Sequence, residues 1–163
     1  MNERMDNSGE RPAGTDNNGD PDRYLVGSAS TSSGHSLDAA KAAFVDARVM
    51  HAMALERLAA SDVRDAAEKA WCATKRATDG LVIARTGETP RKAPDTTRML
   101  RELAIEDLHI SHLRHLYSTA RDQLHGDCFY SGMCEPLDDT LDLIRSTSDY
   151  IKKAERLASL TPN

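Results

Sequence analysis

The chain reads as an all-α protein, an up-and-down bundle of four long helices plus one short helix. Three observations predict this. After Ser36, apolar residues recur at steps of three and four, the period of a helix with one buried face. No segment alternates apolar and polar residues as a half-buried strand does. Hydrophobic residues make up 39% of the 163 residues and aromatics only 4%, so the core is built mainly of Ala, Leu, Ile and Val. Such small side chains fill space only when helices pack closely. No repeat of solenoid length is present.

Residues 1–35 are rich in Asn, Gly, Ser, Asp and Pro, and Tyr24, Leu25 and Val26 are nearly the only large apolar residues among them. This segment buries too little to offset its ordering entropy, so a disordered polar tail is expected, followed by a single domain over 36–163. Six acids and three arginines fall in the tail, which holds −3 of the net charge of −5.

The first helix is expected from Ser36 as N-cap, with the stripe Leu37, Ala40, Phe44, Ala47, His51, Ala54 and Leu58. His51 on that stripe reads as a core histidine with a satisfied hydrogen bond. A second helix is expected from Ser61 or Asp62 to Ala84 or Arg85, with Val63, Ala66, Ala70, Ala73 and Ala77 on one small-residue face and Trp71 and Leu81 beside it. Gly80 inside it costs about 1 kcal/mol relative to Ala, which points to a close backbone approach or a weak point. Thr86–Pro94 is a loop by its Gly and Pro content.

A short helix over 95–103 is expected next, then a break between Ala104 and His109. A fourth helix carries Leu113, Leu116, Tyr117, Ala120 and Leu124 and is expected to stop at Gly126. Pro136 suits the first turn of the last helix. The stripe there is Leu137, Leu141, Ile144, Ser148, Ile151 and Ala158, flanked by Leu143, Tyr150 and Leu157.

The net charge argues against indiscriminate binding to nucleic acid or anionic membrane through the whole surface. Seven basic residues nevertheless face three acids between Lys75 and Arg101, a local basic region or a solvated loop with helix ends. The N-terminus lacks the pattern of a secretory signal and no apolar run reaches bilayer length, so a cytoplasmic protein with reduced thiols at Cys72, Cys128 and Cys134 and no membrane association is expected.

The stretch Arg121-Asp122-Gln123-Leu124-His125, followed by Gly126-Asp127-Cys128-Phe129-Tyr130, is where scaffold could become chemistry. Arg121 and His125 are four apart and so share a helix face. An imidazole can move a proton near neutral pH, and a guanidinium can hold a phosphate through two hydrogen bonds. No metal or cofactor is needed for that combination. Other groupings are weaker. His109, His112 and His115 recur every third residue, as an interface or solvated face more readily than a metal site. His125, Cys128 and Cys134 match no common zinc spacing.

The order of elements, the Ala-rich second helix with Trp71, and the run from Arg121 to Tyr130 resemble the HEPN superfamily, most closely its small stand-alone archaeal and bacterial branch. The resemblance covers roughly Ser36 to Leu160. It implies an all-α bundle that forms a homodimer, and a metal-independent endoribonuclease of toxin type with a composite site at the dimer interface. Arg121 would then bind phosphate, Asp122 would be the positioning residue, and His125 would transfer the proton as the 2′-hydroxyl of RNA attacks its neighbouring phosphate. Other members bind nucleotides or act as non-catalytic partners, and a nucleotidyltransferase antitoxin is the partner the resemblance implies. In this chain only three residues separate Arg121 from His125. That puts them one turn apart rather than across a helix end, so the catalytic and non-catalytic readings both stand. Tyr130 is either a packing residue under the loop or, by the same resemblance, a ligand or modification site.

Overall fold

The computed structural model describes residues 26–159, which form one all-helical assembly with no strand among them. The order is α1 (Val26–Ala59), α2 (Val63–Thr86), α3 (Ala93–Glu106) and α4 (Leu108–Ala120), which runs directly into a π-helical segment (Arg121–Tyr130), and then α5 (Leu137–Ser159). Counting α4 and its π-helical continuation together, there are four long helices and one short one, as the periodicity predicts.

The middle of the bundle is α2. It packs against α1, α3, α4, the π-helical segment and α5. Of its expected face, Ala66, Ala70, Ala73 and Ala77 are fully buried and Val63 is half-buried, yet Ala67, Thr74, Thr78, Gly80 and Val82 are buried too. A helix surrounded on nearly every side needs small residues all round, because neighbours on each flank must approach its backbone. Gly80 shows how close that approach is. A Cβ added there would lie 2.9 Å from Cε2 of Phe44, whose ring is itself buried against α2.

Polar contacts fix how the helices run. Asp46 of α1 meets Arg76 of α2, and Arg57 meets Asp65, so the two helices are antiparallel. Nε2 of His51 is 3.1 Å from the Ile144 carbonyl, the satisfied core histidine expected, and Arg48 pairs with Glu155, so α1 and α5 are antiparallel as well. The Thr78 and Tyr150 hydroxyls meet at 2.6 Å, tying α2 to α5. The buried Asp79 carboxylate accepts from Thr96 Oγ1 at 2.6 Å and from Lys75 Nζ at 2.8 Å. Both of its oxygens are therefore served, and α3 is held against α2.

Several boundaries differ from expectation. The helical chain is described from Val26, so Ser36 lies inside α1 and is no N-cap. Its hydroxyl donates back to the Ser32 carbonyl at 2.9 Å, a bond within the helix. Residues 26–35 are helix rather than tail, exposed over 32–35, and the rest of the expected tail (1–25) lies outside the described residues. Leu37 is exposed, because the neighbours that cover Ala40 and Phe44 do not reach it. Asp62 caps α2 by accepting from the Asp65 amide, and Gly87 closes it at φ 76°. The expected break falls at Asp107, whose carboxylate caps α4 by accepting from the His109 and Ile110 amides. Pro136 stands just before α5 rather than within its first turn, and Leu137 is exposed.

Two consequences are measurable. Gly80→Ala gains about 1 kcal/mol in helix propensity but drives a methyl into the Phe44 ring. A net loss of roughly 1–3 kcal/mol is expected in urea unfolding, and a gain in stability would contradict the close approach. Burial raises the pKa of both Tyr150 and Tyr117 above the ordinary value of 10.0, the hydrogen bonds from Thr78 and Thr97 offsetting only part of it. A raised folded-state pKa contributes stability that is complete below the unfolded value and lost as pH rises through the folded one. The urea midpoint should therefore begin to fall only above about pH 10, together with tyrosinate absorbance.

Candidate functional site

The helix does not stop at Gly126. It widens at Arg121 into a π-helical run that continues to Tyr130, and the Ser131 amide still bonds back five residues to the Gly126 carbonyl at 3.1 Å. Gly126 lies inside this run, and the left-handed glycine that turns the chain is Gly132, at φ 69°. The wider turn has a chemical consequence. A π-helical turn takes between four and five residues, so residues i+4 and i+5 both lie near the face of residue i. Tyr130 accordingly meets His125 edge-on, with ring centroids 4.8 Å apart, and Phe129 stacks at 6.2 Å. In an α-helix the fifth residue would point well away. Leu124 and Cys128 anchor the opposite face in the core.

The neighbours of His125 come from α2. Its Nδ1 lies 2.7 Å from Oε2 of Glu68, whose side chain is 20% exposed against 32% for the imidazole. A carboxylate only accepts, so Nδ1 carries the proton, and Nε2 of the neutral ring is left as the acceptor. Nε2 has no hydrogen-bond partner among the described residues. Trp71 lies 5.7 Å from the imidazole and 5.2 Å from Tyr117. Trp71 is buried, so it forms the floor of the site and is not an exposed stacking platform. One turn before Glu68, Arg64 donates to the Phe129 carbonyl through Nε at 3.2 Å and also through Nη2, closing the end of the π-helical run.

Arg121 is held differently. Its Nε donates to Oδ1 of the adjacent Asp122 at 2.9 Å, with the two side chains 39% and 63% exposed. Arg121 and His125 share no hydrogen bond with each other, and each is paired within its own chain. Asp122 therefore orients Arg121 rather than His125. Tyr130 is 69% exposed and is not packed under the loop as a core residue would be. The structure thus brings together His125, Phe129 and Tyr130 from the predicted run and adds Glu68, Arg64 and Trp71 from α2. These three are spaced three and four apart on one face of α2, a pattern visible in the sequence. That the face meets His125 is a tertiary fact.

The cysteines depart from expectation. Cys128 and Cys134 form a disulfide, their Cα atoms 4.2 Å apart across the turn at Gly132, so they are not free thiols. That also removes them from any zinc set with His125. Cys72 is free, and burial, reinforced by the nearby Glu68 carboxylate, pushes its thiol pKa up and away from the reactive thiolate. His109, His112 and His115 are exposed, and among the described residues no three metal-ligating side chains gather at one point. Much of the basic region is internally compensated: Lys75 and Arg76 meet Asp79, Arg85 meets Asp107, and Arg98 meets Glu102. No described helix is long and apolar enough to cross a membrane.

Arg64→Ala should loosen the end of the π-helical run. Loss of the two donors to the Phe129 carbonyl is expected to speed hydrogen exchange at the Ser131, Gly132 and Met133 amides, with about 1 kcal/mol less protection at this partly exposed site. Unchanged exchange would show that the run needs no such clamp. No protein-family model, curated protein or solved structure matches this chain.

Proposed function

We propose that the chain is a HEPN-like bundle acting as a metal-independent endoribonuclease, with His125 as proton-transfer group and two copies of the site meeting across a homodimer interface. One observation carries the reading: His125 is fixed by Glu68 through Nδ1 while Nε2 keeps no partner and stands beside two aromatic rings. Such an imidazole has the tautomer and orientation of a general base, and its carboxylate stabilises the imidazolium that proton transfer creates.

In this reading Nε2 of one copy takes the proton of a ribose 2′-hydroxyl, and that oxygen attacks the adjacent phosphorus. The bond from phosphorus to the 5′-oxygen breaks, and an imidazolium of the second copy returns a proton to the leaving oxygen. Arg121 stabilises the charge on the phosphate oxygens. Its present contact with Asp122 is an exposed ion pair, worth about 0–1 kcal/mol, so exchange for a phosphate costs little. Phe129 and Tyr130 offer faces for an unstacked base.

A second reading rests on that same Arg121–Asp122 pair, which turns the guanidinium toward its neighbour instead of toward His125. On this reading the bundle binds a nucleotide, or a partner such as a nucleotidyltransferase, without cleaving RNA.

Incubation of the purified chain with single-stranded RNA in excess chelator tests both. Cleavage to 2′,3′-cyclic phosphate ends is expected, falling about 100-fold or more in His125→Ala and about tenfold or more in Glu68→Gln, with helicity retained. Binding without cleavage would favour the second reading. Cleavage unchanged in His125→Ala would defeat the first. Sedimentation analysis should show a dimer, and a monomer at micromolar concentration would remove the composite site.

A further inference from the structure

A cavity of about 760 Å³ opens between α4 and the last turns of α5, away from the His125 site. Leu113 and Leu157 give it an apolar floor, both buried. Around this floor stand His109 and His112 from α4 and Lys153 and Arg156 from α5. None of these four side chains has a hydrogen bond or ion pair among the described residues. The remaining charged groups at the rim are already engaged. Glu155 is held by Arg48 at 3.0 and 3.1 Å, and Lys152 leans on Asp149 at 3.5 Å. The donors that converge on the cavity are thus the uncommitted ones, and the acid among them is neutralised.

We infer that this groove is a binding site for a small phosphate monoester with an apolar body. The volume suits a small molecule. An ammonium, a guanidinium and two imidazoles supply more donors than the two oxygens of a carboxylate can use, whereas a phosphate offers three terminal oxygens. Imidazole provides an N–H donor in either charge state, so the set does not depend on titration of the histidines. The low-dielectric floor concentrates the positive field over the cavity and takes up the apolar part of the ligand. Such a ligand comes from two sources, a nucleotide or an alkyl phosphate of lipid type. Among the described residues no Phe, Tyr or Trp side chain lines the cavity, so only the two imidazoles could stack on a base.

The same cations also offset the carbonyl end of α5, which would be a structural role alone. Calorimetric titration of the full chain separates the two, with inorganic phosphate, hexyl phosphate, AMP and neutral hexyl glucoside as probes. Hexyl phosphate or AMP should bind about tenfold or more tightly than inorganic phosphate and the glucoside, with weakening at high salt. The order of the two esters identifies the source. Lys153→Ala/Arg156→Ala and His109→Gln/His112→Gln should each lose about tenfold or more in affinity, while Lys41→Ala, on α1 outside the cavity, leaves it unchanged. Failure of both esters to bind at millimolar concentration would overturn the site. So would glucoside binding as tight as the esters, or a Lys153→Ala/Arg156→Ala variant that loses stability but no affinity.

Discussion

Everything in this bundle depends on how closely α1 and the other helices approach α2. The contact of Phe44 with the bare backbone at Gly80 sets that distance, and the alanines on either side keep it. With 4% aromatic residues the chain has few large side chains to fill a wider gap. Tight helix–helix spacing is therefore the means by which a small-residue core reaches the density of a protein interior. Gly80 gives up helix propensity of about 1 kcal/mol, and the packing of a phenylalanine ring compensates.

An alanine-rich interface is smooth, and smooth interfaces slide. The buried polar contacts supply register. His51 to the Ile144 carbonyl, Thr78 to Tyr150, Thr97 to Tyr117, and Asp79 to Thr96 and Lys75 each join a different pair of helices, the Lys75 link excepted. Any shift along a helix axis would leave one of these groups unpaired in the core, at a cost of about 1–3 kcal/mol each. The polar contacts thus specify one arrangement that apolar packing alone would leave degenerate.

The same packing places the candidate site. Glu68, Arg64 and Trp71 project from α2 toward the π-helical run, and that run brings Tyr130 edge-on to His125, where an α-helical turn would separate them. The Cys128–Cys134 bond and the Arg64 clamp hold its end. The imidazole of His125, beside the half-buried Phe129 and the exposed Tyr130, and the groove between α4 and α5 lie toward opposite ends of the helix that α4 and its π-helical continuation make together. A ligand at one would therefore not occupy the other.

The sequence by itself determined the helices, since their period, caps and breaks are local. The stripes of α1 and α5, a cap at Ser61 or Asp62, the break near Asp107 and the core role of His51 follow from spacing and residue type, whereas Gly80 stood as either a close approach or a weak point until the Phe44 ring decided it. Leu37 and Leu137 were misplaced because stripe position says nothing about whether a neighbouring helix reaches that far. Gly126 suggested an end because glycine is common just past one, but burial of both Leu124 and Cys128 carries the chain on as a wider helix. Arg121 and His125 stood out as a pair on spacing alone. Arg121 pairs with its sequence neighbour Asp122, but only the tertiary structure decided the partner of His125, since that contact depends on which helix lies opposite, and periodicity within one helix does not encode it. Glu68 opposite His125 and Cys134 opposite Cys128 are facts of that kind.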